Sequence, residues 1–199
     1  MITEILIKEF DNCIKKYCPL AYESYNDTLP SEGIDFYMQK LRLDVNDKTD
    51  FKTIYSWKNG IDIEIQDYST DLRILYAGNF LSLKDILPLY QENLDMEFGW
   101  RPLSLIPIMS NYEGEFLLIE TDRNSPNYNG VYFYSPNLTF AVDTIIVYDD
   151  LESMLKTIIN LFENGAQIFD NEKKVLKFDF DLISKISALL NPKSNRLKN

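Results

Sequence analysis

The chain contains no histidine. Its absence removes the side chain used most often as a general base and as a metal ligand, and with it any Ser-His-Asp or Cys-His nucleophilic arrangement. Basic residues are also scarce. Lys and Arg total 20 against 31 Asp and Glu, a net charge of −11 over 199 residues. A nucleic-acid binder needs a cationic footprint to neutralise phosphates, so direct nucleic-acid binding is disfavoured. Cysteine is reduced to Cys13 and Cys18, at a spacing typical of neither a zinc knuckle nor a redox pair. Both are expected as free thiols, with Cys13 packed in a core. Long apolar runs are missing too: stretches such as Phe116-Leu117-Leu118-Ile119 fall far short of the ~18 residues that cross a bilayer, so no membrane association is expected. Met1-Ile2-Thr3-Glu4-Ile5 has neither the basic nor the apolar region of a signal peptide, and a cytoplasmic location is expected.

Catalytic signatures are lacking as well. The sequence has no Walker-type phosphate loop, no G-x-G-x-x-G, no G-x-S-x-G elbow and no H-E-x-x-H. Asp44 to Asp50 superficially resembles a calcium loop, but Lys48 stands at a ligand position, Thr49 at the glycine position and Tyr55 at that of the bidentate acid. The many acids always supply carboxylate pairs, yet nothing selects one pair as a glycosidase site. No catalytic residue, metal ligand or cofactor is assigned, and the chain is not expected to be an enzyme.

What is present is an ordinary share of apolar residues, 45%, enriched in aromatics (13 Tyr, 12 Phe and 2 Trp). That suffices for a real core and suits a protein-binding module. Apolar residues at three- and four-residue spacing predict a helix over 2–17, with Ile2, Ile5, Leu6, Phe10, Cys13, Ile14 and Tyr17 as its stripe and Pro19 as its end. Ser31 offers an N-cap to a helix burying Ile34, Tyr37, Met38 and Leu41. A further helix over 51–58, with Phe51, Ile54 and Tyr55 inward, closes at Asn59-Gly60. Ile61-Asp62-Ile63-Glu64-Ile65 alternates as a half-wet strand does, and 72–77 reads as another strand. Ser82 and Asp85 resemble a capping box opening a helix to about Asn93, with Pro88 as a blemish.

Strands are then expected over 103–109, 115–121, 131–135 and 139–147, separated by turn-forming Asn, Gly and Pro. Short turns imply antiparallel pairing. Asp149 and Asp150 open a strong helix with Leu151, Met154, Leu155, Ile158 and Phe162 inward, closed by Asn164-Gly165. A last helix over 180–190 is stopped by Asn191-Pro192. The expected fold is α+β: one domain over 1–192, a single antiparallel sheet of five or six strands covered by N- and C-terminal helices, and a basic tail at 193–199 that frays.

The acids fall in two groups, Asp62, Glu64, Asp67 and Asp71 around one predicted strand and Glu113, Glu115, Glu120 and Asp122 around another. They are either the wet faces of sheet strands or a face that steers a basic partner. Tyr112, Tyr128, Tyr132 and Tyr134 lie close by in sequence and either anchor an interface or pack against helices. On this reading the candidate partner-binding residues are Asp62, Glu64, Asp67, Glu113, Glu115, Tyr112 and Tyr128. Trp57 and Trp100 are expected in the core or at its edge.

The order of landmarks resembles the SUKH superfamily, which unites bacterial immunity proteins with fungal Smi/Knr-type cell-wall assembly regulators. The resemblance rests on Leu29-Pro30 before a helix, a helix ending Tyr55-Ser56-Trp57-Lys58-Asn59-Gly60, and Trp100 preceding a strand with the Ile106-Pro107 step. It continues through Glu113-Gly114-Glu115, Asn129-Gly130-Val131-Tyr132 and a closing helix from Leu151 to Phe162 with Asn164-Gly165 after it. It covers about 25–165, with helical extensions on either side. Two departures are a long charged link at 44–50, and Ser110-Asn111-Tyr112-Glu113 where the family has an acid-rich Asp-Gly turn.

The signature residues Trp57, Asn59, Gly60, Trp100, Pro107 and Gly130 are expected to be structural. Pro107, for instance, must sit at an edge or a bulge. The resemblance implies a non-enzymatic domain that binds a cognate toxin stoichiometrically, the toxin being basic and often a nuclease. The fungal branch implies the alternative, a scaffold for cell-wall or glucan synthesis. A glycan- or small-molecule-binding module using Tyr and Trp ranks below both.

Overall fold

The computed structural model describes residues 1–43, 50–65, 71–95, 100, 103–111, 113–135, 145–170 and 172–194. Expectations for the rest of the 44–50 link, for the strand start at 139 and for the end of the tail lie outside these residues.

Helix α1 (Glu4–Tyr17) begins at Thr3, whose hydroxyl accepts the Leu6 N–H at 3.2 Å. It buries Leu6, Phe10, Cys13 and Ile14. Ile5, expected on that stripe, is exposed. Pro19 does more than end α1: it occupies the first turn of α2 (Pro19–Ser24), where its missing N–H costs no hydrogen bond. Helix α3 (Ser31–Lys40) has Pro30 rather than Ser31 at its cap, and buries Ile34 and Met38; Leu41 is buried just beyond it, and Tyr37 only partly. Helix α4 (Asp50–Trp57) turns Phe51, Ile54 and Tyr55 inward. Its Trp57 indole donates to Asp11 at 2.8 Å and meets Phe10 and Tyr25 edge-on, tying α4 to α1 at the edge of the core.

Two predicted strands are absent. Only Ile61 of 61–65 pairs, through a parallel bridge to Leu81, and Ile63–Ile65 form a 3-10 turn. Alternation suggested a ladder, but the backbone donors are taken otherwise: Asp85 accepts the Ile63 N–H and the Asp62 carbonyl accepts the Ile65 N–H. At 72–77 the chain instead makes a tight turn bridging Leu75 and Gly78. Gly78 (φ +105°) turns the chain there, and a Cβ would overlap the Ser110 carbonyl. The Asn79 side chain holds the turn by donating to the Leu72 carbonyl and accepting from the Tyr25 hydroxyl.

The sheet is a five-stranded antiparallel meander in chain order: β1 (Asn79–Phe80), β2 (Leu105–Ser110), β3 (Phe116–Glu120), β4 (Val131–Tyr134) and β5 (Ile145–Tyr148). Pro107 sits in β2 where the register slips between Pro107 and Met109, so the residue that cannot donate stands at a bulge. Helix α5 (Leu83–Asp95) follows β1, with the Ser82 hydroxyl on Asp85 at 2.8 Å and Pro88 accommodated inside the helix. Helix α6 (Leu151–Glu163) is capped by Asp150, which accepts the Ser153 N–H at 2.7 Å, and lies beside α1, where Tyr17 stacks on Phe162.

Ile106, Met109, Leu117, Ile119, Val131 and Val147 face the main core with the helices. The opposite face gathers Leu105, Leu118 and Tyr132 under Trp100, whose indole donates to the Leu105 carbonyl at 3.0 Å. Both sheet faces are therefore apolar, which is why β2 and β3 read as continuous apolar runs.

Sequence reading assigned no element to 166–179. The structure places a hairpin there, β6 (Gln167–Asp170) with β7 (Val175–Phe178), before α7 (Phe180–Leu190). Its strands are four residues each, too short for periodicity to register. The tail is anchored at least to Ser194, which is buried and donates to the Ile146 carbonyl at 2.9 Å. Cys13 and Cys18 are free and buried; burial pushes the Cys13 thiol up to about 12 and the Cys18 thiol higher still.

Gly60 and Gly165 both have positive φ, +63° and +70°, but a Cβ on Gly60 would lie 2.1 Å from the Leu81 carbonyl oxygen while one on Gly165 would meet nothing within 4 Å. Gly60→Ala is expected to lower the unfolding free energy by about 3 kcal/mol and Gly165→Ala by about 1 kcal/mol, measured by urea denaturation.

Candidate functional site

The signature Asn59-Gly60 lies at the centre of a set of hydrogen bonds joining three segments distant in sequence. The Asn59 N–H donates to the Asn26 carbonyl at 3.1 Å, and the Asn26 N–H returns a bond to the Gly60 carbonyl at 2.8 Å. The Asn59 side-chain oxygen accepts the Leu83 N–H at 3.2 Å, satisfying a donor at the start of α5. One residue on, the Ile61 N–H donates to Phe80 and the Ile61 carbonyl accepts from Ser82. The Asn26 side chain reaches Asp62 at 2.8 Å, and Lys84 pairs with the same carboxylate at 2.6 Å. Burial alone would raise the Asp62 carboxyl, but hydrogen bonds from Lys84 and Asn26 outweigh it and hold the group below the usual value.

Asp62 is thus an internal strut, its side chain only 13% exposed, whereas Glu64 is 78% exposed and 3.8 Å from Lys84. Asp71 is buried and takes two bonds from the Arg73 guanidinium (2.8 and 2.7 Å), one from the Arg73 N–H (3.1 Å) and one from the Leu176 N–H (2.9 Å). Glu120 is buried and accepts the Asp122 N–H at 2.8 Å. Glu115 is partly buried and accepts from the Asn111 amide at 2.8 Å; Glu113 is exposed. Asp67 and Tyr112 lie outside the described residues.

The remaining candidates do not form one cluster. Glu113 and Glu115 stand at the β2–β3 turn and Tyr128, partly buried, in the β3–β4 loop, at opposite ends of β3. Five strand residues separate them by roughly 16 Å. Tyr132 is buried and Tyr134 packs edge-on against Trp100, so both stiffen the sheet face. Gly130 fits where a Cβ would come within 2.9 Å of the Asn127 carbonyl.

Sequence reading missed Asn26, Lys84 and the exposure of Ile63 and Ile65. Asn26 was legible only as part of a polar turn, and its role depends on partners more than thirty residues away. A groove of about 640 Å³ between α1 and α6 is lined by Glu9, Lys16, Glu152 and Lys156 among others, and Lys156 already pairs with Glu152 at 2.7 Å. Among the described residues no three acids or cysteines gather as a metal site would require, and no helix is long and apolar enough to cross a membrane.

Asp71 yields a test of the internal acids. Burial pushes its carboxyl up, but Arg73 and the Leu176 N–H together hold it below the usual value. Its stabilising contribution is therefore complete above about pH 4 and is lost as pH falls through the depressed folded value. Asp71→Asn is expected to cost about 3 kcal/mol at pH 7, and the gap to the parent should narrow as urea denaturation is repeated toward pH 2.

Among curated proteins none matches the chain. A family model does match, over residues 23–157, from the end of α2 into α6, and it takes in Asn26, Asn59-Gly60, the ladder β1–β5 and Trp100. Since this is well over half of the sequence, the chain belongs to the SMI1/KNR4 family (SUKH-1), a family of generally non-enzymatic modules of the immunity and regulator type.

Proposed function

We propose that this chain is a cytoplasmic immunity protein that neutralises a cognate toxin domain by stoichiometric binding, with no catalysis of its own. The observation that carries this reading is family membership across residues 23–157. A surplus of acid supports it, since 31 carboxylates against 20 cations favour a basic partner such as a nuclease. The exposed carboxylates Glu64 and Glu113 are suited to steering that encounter, while Asp62, Asp71 and Glu120 are held inside the fold.

Neutralisation then works by occupancy. The partner's active groove is covered by an interface of roughly 1,200–2,000 Å², and protection scales with the ratio of the two proteins. The reading expects a toxin domain to be encoded beside this chain's gene; co-expression with that domain should restore growth, and the purified pair should run as a one-to-one complex. Raising ionic strength from ~0.05 to ~0.5 M should slow association about tenfold. Absence of both rescue and complex would sink the immunity reading and turn attention to the regulator branch of the family.

A further inference from the structure

We propose that the turn Ile63–Ile65, with Glu64 at its centre, is the docking ledge for a basic protein surface that offers an apolar hollow; this rests on the binding role proposed above. Two isoleucines stand in this turn 37% and 47% exposed, on either side of a carboxylate that is 78% exposed. A single exposed apolar residue is ordinary, but two that bracket an exposed charge combine the two elements of a recognition patch: apolar area to bury and a charge to select the partner.

The turn is held before any partner arrives. Its first N–H donates to Asp85 at 2.9 Å and its last to the Asp62 carbonyl at 3.0 Å. Asp62 is itself fixed by Asn26 and Lys84, and Ile61, just upstream, is fully buried and bridged to Leu81. Such a backbone loses little freedom on binding, so its apolar contacts are not offset by the ordering of a loop.

Charge decides the occupant. A second exposed apolar pair, Ile168 and Val175 of the β6–β7 hairpin, shares that hairpin with Lys173, Lys174 and Lys177, offset in part by Asp170 and Glu172. The 63–65 turn is instead flanked by Asp62 and Asp85, with Lys84 already on Asp62. The exposed Glu64 between the isoleucines matches a cationic partner, and a second copy of this chain, which carries −11 itself, is disfavoured.

The test uses the full chain and the neighbouring toxin domain, purified with an inactivating substitution, in a surface binding assay. The double variant Ile63→Ser, Ile65→Ser should weaken binding at least about tenfold, chiefly through faster dissociation. Glu64→Lys should slow association at low salt by about threefold or more. Ile168→Ser with Val175→Ser serves as the comparison and should bind as the parent does. All altered residues are exposed, so thermal melts should stay close to the parent's and separate a binding loss from unfolding. If the parent binds and both ledge variants bind within about twofold of it, the ledge is not the docking site although the immunity reading stands. If sedimentation shows two copies joined through the ledge and parted by the double variant, the occupant is a second copy and the proposal fails. A parent that binds no toxin domain overturns the immunity reading, and the ledge assignment with it.

Discussion

The close backbone approach at Gly60 is the constraint on which the surrounding structure depends. With no Cβ, the chain passes against the Leu81 carbonyl and turns through positive φ. That passage brings Ile61 beside Leu81, lets Asn59 cap the first turn of α5 and lets Asn26 bond on either side of the turn. Helix α4, the edge of the sheet and α5 are therefore fixed to one another by backbone geometry before side-chain packing is considered. Aromatic packing then fills the space behind it: Tyr25 bonds Asn79 and meets Trp57, and Trp57 meets Phe10.

From this corner the sheet extends as a simple meander, with an unusual requirement that both faces be covered. Antiparallel sheets commonly leave one face wet. Here Trp100, pinned to Leu105 and packed on Phe116 and Tyr134, covers the side opposite the main core, with Leu89 of α5 beside it. Through the bulge at Pro107, β2 pairs along its whole length with β3 but only at its end with β1. The two residues of β1 pair only with Met109 and Ser110, and Leu81 adds one bond to Ile108. The hairpin and α7 lie outside the matched family segment. They are attached by buried polar contacts, Asp71 to the Leu176 N–H and Asn191 to Thr157 at 3.0 Å, in addition to the apolar Leu176 and Ile183.

Where partners lie close in sequence, the fold was legible. Helix α6 announces itself by Asp150, a clean stripe and Asn164-Gly165, and the turns of the meander by Asn-Gly and Glu-Gly steps, all of them local signals. The two false strands fail for a common reason. At 61–65 the acids that imitate a wet strand face bond to Asn26, 36 residues away, or stand beside Lys84. At 72–77 the apolar residues are buried because the C-terminal hairpin packs there, with Gln167 reaching the Ile74 carbonyl. Local alternation carries no information about such partners. The landmark residues, by contrast, were legible as structural because glycine at a turn and proline in a strand admit few roles.

The candidate surface was less legible than the fold, and the reason is electrostatic. A formal charge counts every acid equally, but the fold divides them. Asp71 and Glu120 sit where water is excluded and are held by N–H donors, and Asp62 is neutralised by Lys84. Charges used in this way contribute little to the field a partner meets, because their counter-charges lie within a few ångströms. Glu64 and Glu113 stand in water, where screening limits them to interactions within about 8–10 Å. A partner drawn to this protein therefore meets the carboxylates the fold leaves in water, and not Asp71 and Glu120, which it buries. Since exposed charge mainly sets the rate of encounter, the persistence of any complex must come from apolar area buried beside those charges. In the described residues that condition is met at the turn where Ile63 and Ile65 emerge from a position that simple alternation would have placed in the core.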